Sequence, residues 1–181
     1  MADMWTDSEN DPRTSDNPKG ELATYREYLT NYRLTLAMKC DELSPEQLAT
    51  RSVPPSTMSL LGLVRHMAKV EHSWFQRALQ GNLDEARPFF DAERRDVDWD
   101  DAVGTKECVE EGIGAWEREI GRADTYLDTL SDDRLGDEVV YNGDGDTASI
   151  RDIVVHMIEE YARHCGHADL LRECIDGRVG Q

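Results

Sequence analysis

The sequence predicts an all-α protein, a four-helix bundle with a long connection between its second and third helices. Four long segments repeat apolar residues at three- and four-residue spacing, the period of an α-helix with one buried face. Capping residues, prolines and glycines mark the ends of several of these segments. Convincing long strands are lacking. Four long amphipathic helices bury their apolar faces against one another in a bundle, so we expect that architecture.

The first predicted helix follows Gly20 and runs to Cys40, with apolar-face residues Leu22, Tyr25, Leu29, Tyr32 and Leu36. The residues before it, 1–19, are rich in Asp, Ser, Asn and Pro, which favours a flexible acidic tail. We expect residues 20–181 to form a single helical domain. After the first helix, LSPEQLATR predicts a short capped turn that begins at Ser44.

The second predicted helix spans about residues 59–80 and stops at the pair Gly81-Asn82, a common helix end. The third spans about residues 102–130, although several glycines weaken its helical pattern. Between the two helices, the acidic stretch 82–101 is expected to be a long connection with only partial structure.

The fourth predicted helix begins near Ser149, where Ser149 and Asp152 match a capping box, and it ends before Gly177. The loop before it, 131–149, has room for a short extended pair. This helix carries three of the five histidines of the chain, so it is the main candidate for chemistry.

The chain is strongly acidic, with 38 acidic residues against 20 basic ones and a formal net charge of −18. A surface of this kind repels phosphate groups, so neither nucleic acid nor an anionic membrane is an expected partner. The apolar runs are far shorter than the roughly 20 residues that cross a bilayer. The N-terminus lacks the pattern of a signal peptide. We therefore expect a cytoplasmic protein that acts on a small molecule.

The four cysteines, Cys40, Cys108, Cys165 and Cys174, are scattered along the chain and form no C-x-x-C pair. The sequence thus predicts neither a cysteine zinc site nor a redox motif. Scattered cysteines in a cytoplasmic chain are usually free thiols. Cys165 lies among the histidines, and ordinary packing is its simpler interpretation.

Three histidines and a glutamate of the fourth helix share one side, because consecutive residues of an α-helix are about 100° apart. They are His156, Glu160, His164 and His167. On this helical wheel His164 lies within the apolar face and Glu160 lies at its rim. Glu160 and His164 are one turn apart, so they could bind one cation together. The alternative is a Glu–His hydrogen bond at the rim of the helix.

A third ligand should come from a neighbouring helix, and the second predicted helix offers His66, Glu71 and His72. Glu71 falls near the middle of the apolar face, and the two histidines lie on its opposite edges. A carboxylate in such a position needs a partner, either a ligand, a histidine or an arginine. The helical wheel alone leaves the choice open.

The blocks SLLGLVRHMAKVEHSWF and SIRDIVVHMIEEYARHCGHADLLRECIDG resemble the DinB superfamily. They are most similar to its actinobacterial branch, related to the mycothiol-dependent maleylpyruvate isomerase and the mycothiol S-transferase metal-binding domain. The resemblance covers about residues 20–179 and implies a helical bundle with a central metal. The implied ligands are a histidine on the second helix, here His66, and a Glu–His pair on the fourth, here Glu160 and His164.

Such a set of two nitrogens and one oxygen suits Zn²⁺ with an open position, and Ni²⁺ or Fe²⁺ would also tolerate it. The resemblance further implies mycothiol as a cosubstrate whose sulfur attacks an electrophile. Residues that could flank the metal or bind the substrate are Glu71, His156, Arg163, His167 and Arg172. For each arginine alone, a salt bridge to one of the many acids is the simpler interpretation. The sequence does not identify the catalytic residues.

We therefore expect a metal-dependent thiol S-transferase acting on an electrophilic small molecule. The alternatives are a metal-dependent hydrolase that uses the same site and a non-catalytic, stress-related metal-binding bundle. A site closed by a fourth protein ligand, such as His167 or Glu71, would favour the last.

The related isomerase has a further C-terminal domain, which the final DGRVGQ does not provide, so we do not expect the isomerase activity itself. A homodimer is compatible with the sequence, because bundles of this kind often pair.

Overall fold

The computed structural model describes residues 11–13 and 16–180 and has the predicted all-α, four-helix architecture. Four long helices form the bundle, and short helices and one hairpin connect them. The elements in chain order are α1 (Glu21–Cys40), α2 (Pro45–Leu48), α3 (Leu60–Glu71), a π-helix (His72–Ala78), α4 (Val97–Asp100), α5 (Lys106–Leu127), a 3₁₀ turn (Asp132–Arg134), β1 (Glu138–Val140), β2 (Thr147–Ser149) and α6 (Ile150–Asp176).

The tail predicted over residues 1–19 lies largely outside the described ranges. Within them, two residues of this segment contact α1. Arg13 Nη1 lies 3.4 Å from Thr35 Oγ1, and the Asp16 backbone N–H donates to Glu27 Oε1 at 2.7 Å.

The four long helices pack in two main pairs, α1 against α6 and α3 against α5, and α3 also contacts α6. Their apolar faces meet in one core that includes Leu29, Leu36, Met67, Ala123 and Met157, each of which is fully buried. The apolar spacing read from the sequence therefore corresponds to real buried faces. Among the described residues, no helix combines the length and the apolar character needed to cross a membrane.

The second predicted helix is not a single regular α-helix. It starts at the predicted cap, where Ser59 Oγ accepts a hydrogen bond from the Gly62 N–H, but α-helical geometry ends at Glu71. From His72 the chain continues as a π-helix, in which the Leu79 N–H donates to the carbonyl oxygen of Trp74, five residues back. Apolar spacing does not distinguish these two helix types, and π-helical turns are frequent at functional sites.

The third predicted helix is shorter than expected, because α5 begins after Thr105 and ends at Leu127. Thr105 Oγ1 accepts the Cys108 N–H and so caps the helix start. The residues just before α5 pack against α2. A Cβ on Gly104 would lie 2.9 Å from Glu46 Cα, so only glycine allows this close approach.

The predicted short extended pair is present as an antiparallel hairpin in which Val139 pairs with Ala148. Ser149 ends this hairpin and begins α6. Its side chain accepts the Asp152 N–H at 3.1 Å, which is half of the predicted capping box. At the other end of α6, Gly177 adopts the left-handed conformation, with φ of 80°, and stops the helix as expected.

A buried network of polar side chains joins all four long helices. The carboxylate of Glu71, on α3, is fully buried and accepts two hydrogen bonds from Arg33 of α1, both 2.8 Å long. It also accepts a hydrogen bond from the Tyr161 hydroxyl of α6 at 2.7 Å. The Trp116 indole N–H of α5 donates to that hydroxyl at 2.7 Å. The partner that Glu71 requires is therefore an arginine.

We expect Arg33→Ala to lower the free energy of unfolding by about 3–5 kcal/mol, because Glu71 would remain as a buried charge without its partner. Urea denaturation monitored by circular dichroism measures this loss. Arg26→Ala is the matched control on the same helix, since Arg26 forms a solvent-exposed pair with Asp128. That change should cost no more than about 0.5 kcal/mol. Equal losses in the two variants would contradict the role assigned to the network.

Candidate metal centre

Three side chains from α3 and α6 converge at one point of the bundle. They are His66, Glu160 and His164, and one nitrogen or carboxylate oxygen from each lies within 4.8 Å of the others. His164 Nε2 is 3.3 Å from Glu160 Oε2, and the His66 and His164 rings meet edge to face with centroids 4.8 Å apart. His164 is buried, and the other two are partly buried. These residues are the ligand set implied by the resemblance.

The Glu160 carboxyl is held in its charged form. A hydrogen bond to His164 lowers its pKa, and partial burial opposes this effect less strongly. The neighbouring imidazoles of His164, His156 and His66 lower the pKa further. An ionised carboxylate is the form that binds a cation, so the environment of Glu160 favours that role.

A buried carboxylate from the connection between α3 and α5 orients His66. Asp98 Oδ2 lies 2.8 Å from His66 Nδ1, and Lys69 Nζ donates to the same oxygen. Burial raises the pKa of Asp98, but the hydrogen bonds from His66 and Lys69 together lower it below its usual range. When Nδ1 donates to this carboxylate, Nε2 is the nitrogen of His66 that is left to bind a cation. Metal-binding histidines commonly show this arrangement.

The segment that supplies Asp98 is fastened to α3. The buried Arg65 side chain donates to the backbone carbonyl of Asp98 at 3.1 Å and to that of the residue before it at 3.2 Å. Trp99 stacks on the His66 ring, with centroids 4.9 Å apart. This stacking needs Gly62, because a Cβ there would lie 2.8 Å from the Trp99 ring. Residues of α3 thus hold α4 against the histidine.

Two further histidines of α6, both candidates from the sequence, lie next to the three convergent residues. His156 Nε2 lies 3.4 Å from Glu160 Oε1, and His167 Nδ1 lies 3.3 Å from His164 Nδ1. Burial, reinforced by the neighbouring His164 and Arg163, lowers the pKa of His167.

The other sequence candidates lie elsewhere. Arg163 is exposed and pairs with Glu159 at 2.7 Å. Arg172 is buried and donates to two backbone carbonyls at the C-terminal end of α1, so it fixes α6 to α1. Glu71 is engaged by Arg33 in the buried network. The structure therefore does not bring these three candidates to the convergent set.

Sequence reasoning missed Asp98, Lys69 and Trp99. The stretch DVDWDD contains several aspartates, and their spacing does not indicate which of them contacts His66. A tryptophan between aspartates, in an otherwise acidic connection, is the sequence feature that could have pointed to Asp98 and Trp99.

The fold and the site define a class of protein, a helical bundle with two histidines and one carboxylate facing one another from two of its helices. The sequence matches the Mycothiol-S-transferase family over residues 24–177, and the chain belongs to this family. The resemblance noted in the sequence is thereby confirmed.

Solved structures support the fold. A conserved protein from Enterococcus faecalis, known from its crystal structure, superposes with a TM-score of 0.65 at 16% sequence identity. The match covers 88% of this chain and 99% of that chain. No curated protein matches the sequence.

We expect Asp98→Asn to weaken Zn²⁺ binding by about 10- to 100-fold, because the charged group that orients His66 is lost. Competition with a chromophoric chelator measures the affinity. Asp100→Asn is the matched control, since Asp100 lies on the same short helix but forms an exposed pair with Arg51. The control should bind like the wild type. Unchanged affinity in Asp98→Asn, with circular dichroism showing an intact fold, would rule out this role for Asp98.

Proposed function

We propose that this protein is a metal-dependent thiol S-transferase, which joins the sulfur of a mycothiol-type thiol to an electrophilic small molecule. One observation carries the proposal: His66, Glu160 and His164 converge in a member of the Mycothiol-S-transferase family. Family membership supports the thiol cosubstrate, and the donor atoms support the metal.

The three side chains fit a divalent cation. Two imidazole nitrogens and a carboxylate oxygen suit Zn²⁺, our first choice, and also Ni²⁺ or Fe²⁺. Glu71 cannot serve as a fourth protein ligand, because its oxygens are engaged by Arg33 and Tyr161. Such a cation would act as a Lewis acid that lowers the pKa of a thiol beside it.

The residues around His66, Glu160 and His164 favour metal binding by these three side chains. Asp98 and Trp99 fix the His66 ring from two sides, and Glu160 is kept ionised by its imidazole neighbours.

In the proposed reaction the sulfur lone pair forms the new S–C bond. In a substitution, the leaving group departs with the electron pair of its former bond to carbon. In an addition, the π electrons of the acceptor move to its neighbouring atom, which takes a proton from solvent. In both, the thiol proton goes to solvent.

The cysteines of the chain are unsuited to be the nucleophile. Burial raises the pKa of both Cys40 and Cys165 to about 12. The Cys165 thiol donates to the backbone carbonyl of Tyr32 on α1, away from the candidate metal centre. Cys108 is buried, and Cys174 is exposed near the end of α6. The thiols of Cys40 and Cys165 therefore do not supply the nucleophile, and Cys174 lies ten residues beyond His164, which favours a cosubstrate thiol, as we propose.

The test combines metal content with turnover. We expect elemental mass spectrometry to find close to one metal per chain in the wild type and little in His66→Ala or Glu160→Ala, because each change removes one of the three proposed ligands. Glu159→Ala is the matched control, since its exposed carboxylate pairs with Arg163 and lies outside the set. Conjugation of mycothiol to 1-chloro-2,4-dinitrobenzene, followed by absorbance, should parallel the metal content.

Two outcomes would overturn the proposal. One is a metal-free wild type that also takes up no added Zn²⁺, Ni²⁺ or Fe²⁺. The other is a metal-loaded protein that conjugates no thiol to a panel of electrophiles on which a known transferase is active. Turnover of ester or amide substrates without any thiol would indicate a hydrolase instead.

A further inference from the structure

A cavity lies beside the candidate metal centre, and the flanking residue His156 forms part of its wall. Its volume is about 290 Å³, and its lining includes Trp74, Tyr141, Thr147, Asp152, Ile153 and His156. We propose that this aromatic cavity binds an uncharged, hydroxyl-rich ring of the thiol cosubstrate. The inference rests on the proposed function and adds to it the part of the thiol that the protein recognises.

The walls of the aromatic cavity are three rings from three separate elements. Trp74 comes from the π-helix, Tyr141 from the hairpin and His156 from α6. The Trp74 ring meets the His156 ring edge to face at 4.8 Å and the Tyr141 ring at 5.9 Å. Ring faces of this kind pack against the C–H faces of a saturated ring, while their polar tips remain available for hydrogen bonds.

The polar groups of the cavity suit hydroxyls. Thr147 offers a hydroxyl that can donate or accept, and Asp152 offers a carboxylate that accepts two hydroxyl protons. No lysine or arginine is among the described residues that line it. An anionic group would therefore meet Asp152 and the net charge of −18 without compensation. An uncharged ligand with many hydroxyls satisfies these groups and incurs no such repulsion.

The cavity also adjoins the candidate metal centre. Asp152, His156 and Glu160 occupy successive turns of α6, and His156 Nε2 is 3.4 Å from Glu160 Oε1. His156 therefore belongs to both, since it lines the cavity and contacts a residue of the convergent set, while Asp152 lies eight residues, or about 12 Å of helix, from Glu160. A ring attached to a thiol whose sulfur lies at the convergent set would extend into the cavity. A short thiol leaves the cavity empty.

The experiment measures equilibrium binding of S-methyl mycothiol, which has the rings but cannot react, by isothermal titration calorimetry. We expect Trp74→Ala to weaken binding by about tenfold, because an aromatic wall is lost. Trp74→Phe keeps a ring face and should bind nearly as the wild type does. Tyr28→Ala, which removes an exposed aromatic residue on α1, is the matched control and should have no effect. Tyr141→Ala repeats the test on a different wall, in case Trp74→Ala unfolds.

Kinetics with two thiols separate recognition from general damage. We expect Trp74→Ala to raise the KM for mycothiol about tenfold more than the KM for N-acetylcysteine, which has no ring to place in the cavity. Equal losses with both thiols, or a raised KM for the electrophile alone, would overturn the inference. So would wild-type and Trp74→Ala proteins that bind S-methyl mycothiol equally. If binding depends on Trp74 but no thiol is turned over, only the proposed function fails.

Discussion

The buried ion pair between Arg33 and Glu71 is the constraint on which the arrangement of the bundle depends. Two charged groups removed from water are tolerated only where all their hydrogen bonds are made. Here those bonds come from α1, α3 and α6, and Trp116 of α5 completes the network through Tyr161. Purely apolar helix faces could slide or rotate at small cost. The network is satisfied in only one relative register of the four helices.

This register determines the geometry of the candidate metal centre. Glu71 lies five residues after His66 on α3, and Tyr161 directly follows Glu160 on α6. Fixing the Glu71–Tyr161 contact therefore fixes the two helix segments that carry the convergent side chains. The π-helix begins at the residue after Glu71, so the change of helix type also starts at this contact. Trp74 and the aromatic cavity lie just beyond it.

The parts of the molecule that depend on local periodicity could be predicted from the sequence. The helices, their caps and the one-turn spacing of Glu160 and His164 all follow from residues close together in the chain. The wheel also placed Glu71 where a partner was required. It could not supply that partner, because Arg33 is 38 residues away. The role of Asp98 could not be predicted for the same reason, since Asp98 approaches His66 only when the connection between α3 and α5 is folded.

The state of the cysteine thiols determines how readily the protein would be alkylated by its own substrates. A catalyst of the proposed kind works among molecules that alkylate sulfur, and each encounter is a chance of damage to its own chain. Reaction requires a thiolate, and burial raises the pKa of both Cys40 and Cys165 to about 12, so both thiols stay protonated near neutral pH. Cys174 is exposed, but it lies ten residues beyond His164, roughly 15 Å along the helix. In such a catalyst, alkylation of the chain itself is therefore expected at Cys174, away from the convergent set, rather than at Cys40 or Cys165.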